Sequence, residues 1–299
     1  MYYLETNSLY SLANKLELLS SMDLKVYTSY FTVLELLAGV VDENSYIKRK
    51  SVLSKLHKSK IDIYWKTPAK VLHESFGLPY DDSIDVNTIM DLQMMILDSA
   101  SYDEFKRASD KLEDRKKIEQ IYLYDNTLSN FGVETSQVFI DSFSKNNSKE
   151  KKREYRKAMF EDKLLHAQAQ VNSEILIRDY IIAITGVNPA KEYEQYIKVA
   201  LAYDQSLRVY FYVEAFHRLL STIKGEPYGK NDTADHFHLL YIDESTTIIS
   251  DDCLVRNLAE GSQMYVCKSA AEFRNNIYDF KHRNYHSVPQ EIRGISNGN

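Results

Sequence analysis

Between about Asp81 and Lys224 the chain runs through helix-forming residues with no strand signal of comparable strength, while on either side short apolar runs alternate with amphipathic ones. This contrast constrains the fold more than any other feature. Parallel strands need crossover connections, so strand-helix alternation reads as a parallel sheet. A long strand-free interval between two alternating parts reads as an insertion. The expected fold class is α/β, a parallel sheet core carrying a large all-helical insertion. The expected division is a first core part over 1–80, the insertion over 81–225, a second core part over 226–285 and a flexible tail over 286–299.

In chain order, Tyr2–Leu4 is strand-compatible, and Glu5-Thr-Asn-Ser8 supplies N-cap chemistry for an apolar helix over Leu9–Leu19. Asp23–Tyr27 is a strand, and Thr28 is expected to cap a helix with Phe31, Leu34, Leu37 and Ala38 on one face. Asn44–Lys60 is an amphipathic helix, basic on its outer face, followed by a strand over Ile61–Trp65. The insertion is expected as helices over Asp85–Leu97, Tyr102–Leu123, Glu134–Phe143, Ser148–Gln170, Asn172–Thr185 and Pro189–Lys224. After Gly229 come helix Asn231–Asp243, strand Thr246–Ser250, helix Asp252–Ala259, strand Gln263–Cys267 and helix Ala270–His282.

Composition excludes several classes. With 44% hydrophobic and 27% charged residues and only 9 Gly and 5 Pro, the 299-residue chain is an ordinary globular one. Its net charge of −6 lacks the basic excess of proteins that wrap nucleic acid by charge alone, so such a partner needs a local basic patch or metal ions. Cys253 and Cys267 lie far from any Cys-x-x-Cys spacing, which excludes zinc ribbons and redox dithiols and leaves buried free thiols as the expectation. Gly-x-Ser-x-Gly and the Gly-rich phosphate loops are absent. No apolar run reaches the length of a membrane span and no signal peptide leads the chain, so a cytoplasmic protein without a membrane partner is expected.

Acids recur at strand ends and in apolar helices. Glu5 follows the first strand, Glu35 sits within Val-Leu-Glu-Leu-Leu-Ala, Asp232 and Asp235 open a later helix, and Asp251 and Asp252 follow Thr246–Ser250. Leu4-Glu-Thr-Asn7 resembles the hydrophobic-Asp-Thr-Asn start of the PIN-domain nucleases, and Ser29 to Gly39 resembles their Ser-x-x-x-x-Leu-Glu-Leu-Leu-x-Gly helix. Asp235-His-Phe-His-Leu resembles their Asp-x-x-His-Leu element, and Ile249-Ser-Asp-Asp252 their Thr-x-Asp turn. The resemblance covers roughly 1–80 and 226–285. The chain departs from it at Glu5, where the family has Asp, one methylene shorter.

The resemblance implies a sheet order of 3-2-1-4-5 and a shared pocket for Glu5, Glu35, Asp235 and Asp252 as ligands of Mg²⁺ or Mn²⁺. Carboxylates brought together stay ionised only beside a hard cation, and a metal-bound water can then attack a phosphodiester. Thr6, Asn7 and Ser250 are orienting candidates, with Asp232 and Asp251 as nearby acids able to substitute. His236 is a candidate substrate contact and His238 a packing residue. Lys151, Lys152 and Arg153, in the densest basic run, either track a phosphate backbone or form a solvated helix face with internal Glu partners. Tyr193, Tyr196, Tyr203 and Tyr210 read as a packing seam within the insertion or between subunits, with base stacking as the alternative. The resemblance implies a metal-dependent endonuclease, RNA ahead of DNA as substrate, and homo-oligomerisation is open to the insertion. The competing expectation is a catalytically weakened PIN-like module that binds RNA or protein, its insertion mediating assembly.

Overall fold

The structure, a computed structural model, describes residues 1–22, 24–110, 133–161, 164–229 and 231–277. Its centre is a sheet of five short strands, β1 Tyr2–Leu4, β2 Val26–Ser29, β3 Asp62–Tyr64, β4 Thr247–Ile249 and β5 Val266–Lys268. All neighbours are parallel and the order is β3-β2-β1-β4-β5, the order that the resemblance implies. The sheet therefore grows first to one side of β1 and, after the helical stretch, to the other, so its topological switch point lies between β1 and β4. In open α/β sheets the crevice beyond the carboxyl ends of the strands at that point is where ligands bind.

β1 is held from both sides, with Leu4 in register with Ile249 and Tyr3 paired with Tyr27. Helices cover both faces of such a sheet, so its central strands are apolar throughout: Tyr3, Leu4, Ile248 and Ile249 are fully buried. α1 (Thr6–Leu12) and α2 (Leu16–Ser20), joined by a 3₁₀ turn, place Leu9, Leu12, Leu16 and Leu19 on one buried stripe. α3 (Tyr30–Ala38) starts at Ser29, whose hydroxyl accepts the Thr32 amide. Ser29 rather than Thr28 is thus the cap; the Thr28 hydroxyl donates to the Leu4 carbonyl at 2.7 Å and ties β2 to β1. α4 (Glu43–Ser59) opens on an Asp42–Ser45 capping box and stops at Lys60, whose φ of 54° ends the helix in the left-handed region.

Then follow α5 (Pro68–Ser75), α6 (Ser83–Asp98), α7 (Tyr102–Ser109), α8 (133–146), α9 (Lys149–Phe160), α10 (Leu165–Thr185), α11 (Tyr193–Ala202) and α12 (Arg208–Lys224). α6 packs on α3 and α4, and α10 lies along α12. α12 in turn contacts α13 (Asp232–His238) and α14 (Cys253–Ser262), and α15 (270–277) closes the described chain.

Several boundaries differ from the sequence expectation. The break expected near Gln170 falls instead between α9 and α10. The single helix expected over Pro189–Lys224 is two, because at Asp204 a side-chain oxygen accepts the Ser206 amide at 2.9 Å and Gln205 turns to φ 60°. The tyrosine heptad therefore spans two helices: Tyr203 stacks on Phe76 at 4.8 Å, while Tyr193 is exposed. α13 ends at His238 and continues as a 3₁₀ turn over Leu239–Tyr241. Cys253 is exposed rather than buried, since it is the first residue of α14. The outer end of the Tyr102–Leu123 helix, the end of Ala270–His282 and the 286–299 tail lie outside the described residues. Among the described residues no helix is long and apolar enough to cross a membrane.

Leu4 has no solvent exposure on the central strand. Leu4→Ala is expected to lower unfolding stability by about 3 kcal/mol, read from the midpoint of urea denaturation; a loss below about 1 kcal/mol contradicts the packing described.

Candidate active site

A pocket of about 300 Å³ opens beyond the carboxyl ends of β1 and β4, and Glu5, Glu35, Asp235 and Asp252 all line it, together with Thr6, Asn7, Arg49 and His238. The first acid directly follows β1, the last lies just beyond β4, and α3 and α13 bring in the other two. A larger hollow of about 780 Å³ lies at the opposite, amino ends of the strands, next to Lys25, Lys60 and Thr246, and contains none of these acids.

Each carboxylate is held differently. Glu5, only 3% exposed, is the N-cap of α1: its two oxygens accept the Asn7 amide at 2.9 Å and the Ser8 amide at 3.1 Å. Asp252 caps α14, with Oδ1 accepting the Leu254 and Val255 amides at 2.7 and 3.2 Å. Glu35 Oε2 accepts the Thr6 hydroxyl and meets His238 Nε2 at 3.0 Å. Asp235 accepts no hydrogen bond from any described residue. Glu35 Oε1 and Asp252 Oδ2 likewise have no hydrogen-bond partner among the described residues.

His238 joins the pocket to the core of the sheet. It is 2% exposed, and its Nδ1 lies 2.7 Å from the Tyr3 hydroxyl, which also bonds Ser29 at 2.8 Å. Burial works against a charge on this ring, but the Tyr3 oxygen and the Glu35 and Glu5 carboxylates outweigh it and hold its pKa well above the ordinary histidine value. The protonated ring then donates to Glu35 through Nε2 and to Tyr3 through Nδ1. Burial pushes Glu5 up to about 7, with His238 and the Asn7 amide opposing. Burial and the Asp252 carboxylate push Asp235 up to about 7.

Of the remaining expected residues, Thr6 and Asn7 line the pocket, and Ser250 lies buried behind it, bonding the Asp252 amide at 3.0 Å. Asp251 is not in the lining: it accepts the Ser11 hydroxyl at 2.8 Å and the Ala270 amide at 2.9 Å, tying α1 to α15. Asp232 accepts the Gly229 amide at 2.8 Å and is also outside it. His236 is buried away from the pocket, its Nδ1 bonded to Glu214 and its Nε2 3.0 Å from His217. It has no surface to offer a substrate there. Lys151, Lys152 and Arg153 sit on α9, which packs against α10 and α12, and none of them lines the pocket. His238, expected as a packing residue, does pack against Tyr3 and Phe31 and in addition lines the pocket. The signal was the Asp235-x-x-His238 spacing, which on a helix puts both side chains on one face.

A donor set of carboxylate oxygens suits a hard divalent cation such as Mg²⁺ or Mn²⁺. The set is not assembled, however. Among the described residues no three His, Cys, Asp or Glu side chains converge closely enough to hold an ion. The reason is visible in the hydrogen bonds: Glu5 is folded back onto α1, and Asp252 gives one oxygen to α14.

Glu5, Asp235 and His238 each bind their proton more tightly in the folded chain than in the unfolded one. Stability is therefore present at low pH and lost as pH rises, for the two acids between about 4 and 7 and for His238 above about 6.5. In EDTA the melting temperature is expected to fall from about pH 5 to about pH 8, and Asp235→Asn to shrink that fall and raise the value at the upper end. A variant with the same pH profile as the wild type contradicts this account. No family model matches this chain, and no curated protein or solved structure gives a match to it, so its activity has to be argued from the site.

Proposed function

We propose that the protein is a PIN-like, metal-dependent endonuclease, and specifically an endoribonuclease that hydrolyses phosphodiester bonds. The observation that carries this reading is the meeting of Glu5, Glu35, Asp235 and Asp252 in one pocket at the switch point of a 3-2-1-4-5 parallel sheet. Residues so far apart in sequence have no structural need of one another, and four acids together are costly without a cation. Mg²⁺ or Mn²⁺, when bound, supplies a nucleophilic water and neutralises charge on the phosphate. The open oxygens of Glu35, Asp235 and Asp252 would hold such an ion once their side chains converge. Thr6 and His238 fix the Glu35 carboxylate, the role that outer hydrogen bonds take around metal ligands. RNA is preferred to DNA on the family resemblance.

A second reading is favoured by Glu5: a residue whose two oxygens cap its own helix fits a catalytically weakened module that binds RNA or a protein without cutting it. Pools of single-stranded and structured RNA, with matched DNA, incubated with Mn²⁺ or EDTA separate the two. A nuclease cuts RNA in Mn²⁺ only, and Asp235→Asn, which removes no structural hydrogen bond, lowers the rate by at least about 100-fold. Cleavage that survives EDTA, or a wild type that retains RNA uncut in Mn²⁺, overturns the nuclease reading.

A further inference from the structure

A nucleic-acid backbone approaching four carboxylates needs cations at the mouth of the pocket. Among the described lining residues the one permanent cation is Arg49. Its Nη1 donates to the Glu35 and Leu36 carbonyls at 2.7 and 3.1 Å, at the C-terminal end of α3, where the helix dipole favours positive charge. The guanidinium lies against Gly39, where a Cβ would collide with it, so the absence of a side chain at that position makes room for it. Nε and Nη2 bond to no described residue and remain as donors beside the pocket.

The positive charge continues outward. Lys48 sits over the Tyr10 ring at 4.7 Å, and Lys55 Nζ donates to Asn14 at 2.5 Å. Asn7, Tyr10 and Asn14 run along α1 and its 3₁₀ extension, while Lys48 and Lys55, seven residues apart, share the side of α4 that reaches Tyr10 and Asn14, and Arg49 lies next to Lys48, turned about 100° toward the end of α3. Seven helical residues span about 10 Å, so the two rows form one seam that starts in the pocket lining at Asn7 and Arg49. The basic run on α9 is denser but has no such continuity with the site.

We infer that the seam between α1 and α4 is the track along which a single RNA strand leaves the pocket, its phosphates held by Arg49, Lys48 and Lys55. The inference rests on the nuclease reading for its substrate class. Phosphate contacts dominate such binding and make it salt-dependent, and aromatic support of Lys48 by Tyr10 places its ammonium in advance.

The test is binding of a fluorescent oligouridine to the full chain in EDTA, followed by anisotropy over a range of salt. Lys48→Glu with Lys55→Glu is expected to weaken binding by about 10-fold or more and to flatten the salt slope by about 0.7 for each phosphate no longer neutralised. Changing Lys151, Lys152 and Arg153 together to Glu is expected to alter Kd by less than about twofold. Lys48 is exposed, so Lys48→Glu alone serves as a variant whose fold is not at risk. The track is overturned if the α9 triple variant carries the loss while the α4 pair does not, or if the wild type binds no oligouridine. Because no cleavage occurs in EDTA, the outcomes separate. A chain that cuts RNA while the α4 pair leaves Kd unchanged keeps the nuclease and loses the track. One that binds through α4 without cutting keeps the track and loses the nuclease.

Discussion

The ladder between β1 and β4 is the interaction on which the rest depends. It joins the first strand of the chain to one that follows the whole helical stretch, with Leu4 opposite Ile249 and the Thr247 amide donating to the Met1 carbonyl at 2.9 Å. A strand of three residues cannot stand alone, but held between two parallel neighbours it buries Tyr3 and Leu4 completely. The same ladder brings Glu5 and Asp252 to the lining of one pocket. A long helical stretch between them is compatible with it because closure entropy grows only with the logarithm of loop length, and because α6 and α12 bury their own apolar faces against the elements around the sheet. A pairing so distant in sequence is expected to slow folding.

The pocket manages its negative charge by separate means. Glu5 and Asp252 spend oxygens on helix amides, Glu35 is faced by the His238 ring, and Asp235 is pushed toward its protonated form. None of these requires rebuilding the backbone to be released. The Tyr3–His238 link anchors this arrangement to the sheet, since the Tyr3 hydroxyl also meets Ser29 at the start of α3, the helix that carries Glu35. Strand, cap and pocket are thus one hydrogen-bonded unit.

Much of this was legible in the sequence because its signals are local. Short apolar runs bounded by Asp, Ser and Thr mark strands and caps, and Glu35 stands out as an acid within Val-Leu-Glu-Leu-Leu-Ala. What was not legible depends on which way a helix faces. His236 and His238 are two residues apart, so on α13 they point to different sides, one toward Glu214 on α12 and the other toward Glu35. Spacing alone does not choose between them. The break at Asp204–Leu207 carries no Gly or Pro, so continued helical periodicity masked a side-chain turn. Density of charge was equally silent on position: α9 holds the most concentrated basic run, yet α4 is the helix whose arginine reaches the pocket.

Glu5 bears both on the fold and on the proposed chemistry. As the N-cap of α1 its carboxylate turns back and satisfies the amides of Asn7 and Ser8, as the shorter Asp252 does for Leu254 and Val255 at α14. N-capping of this kind is worth about 1 kcal/mol, and removing both bonds from a buried carboxylate costs more unless a cation takes their place. The residue is therefore a cap first. Under the proposed chemistry a divalent ion would find open oxygens on Glu35, Asp235 and Asp252, whereas Glu5 would have to give up an amide bond to Asn7 or Ser8 to join them.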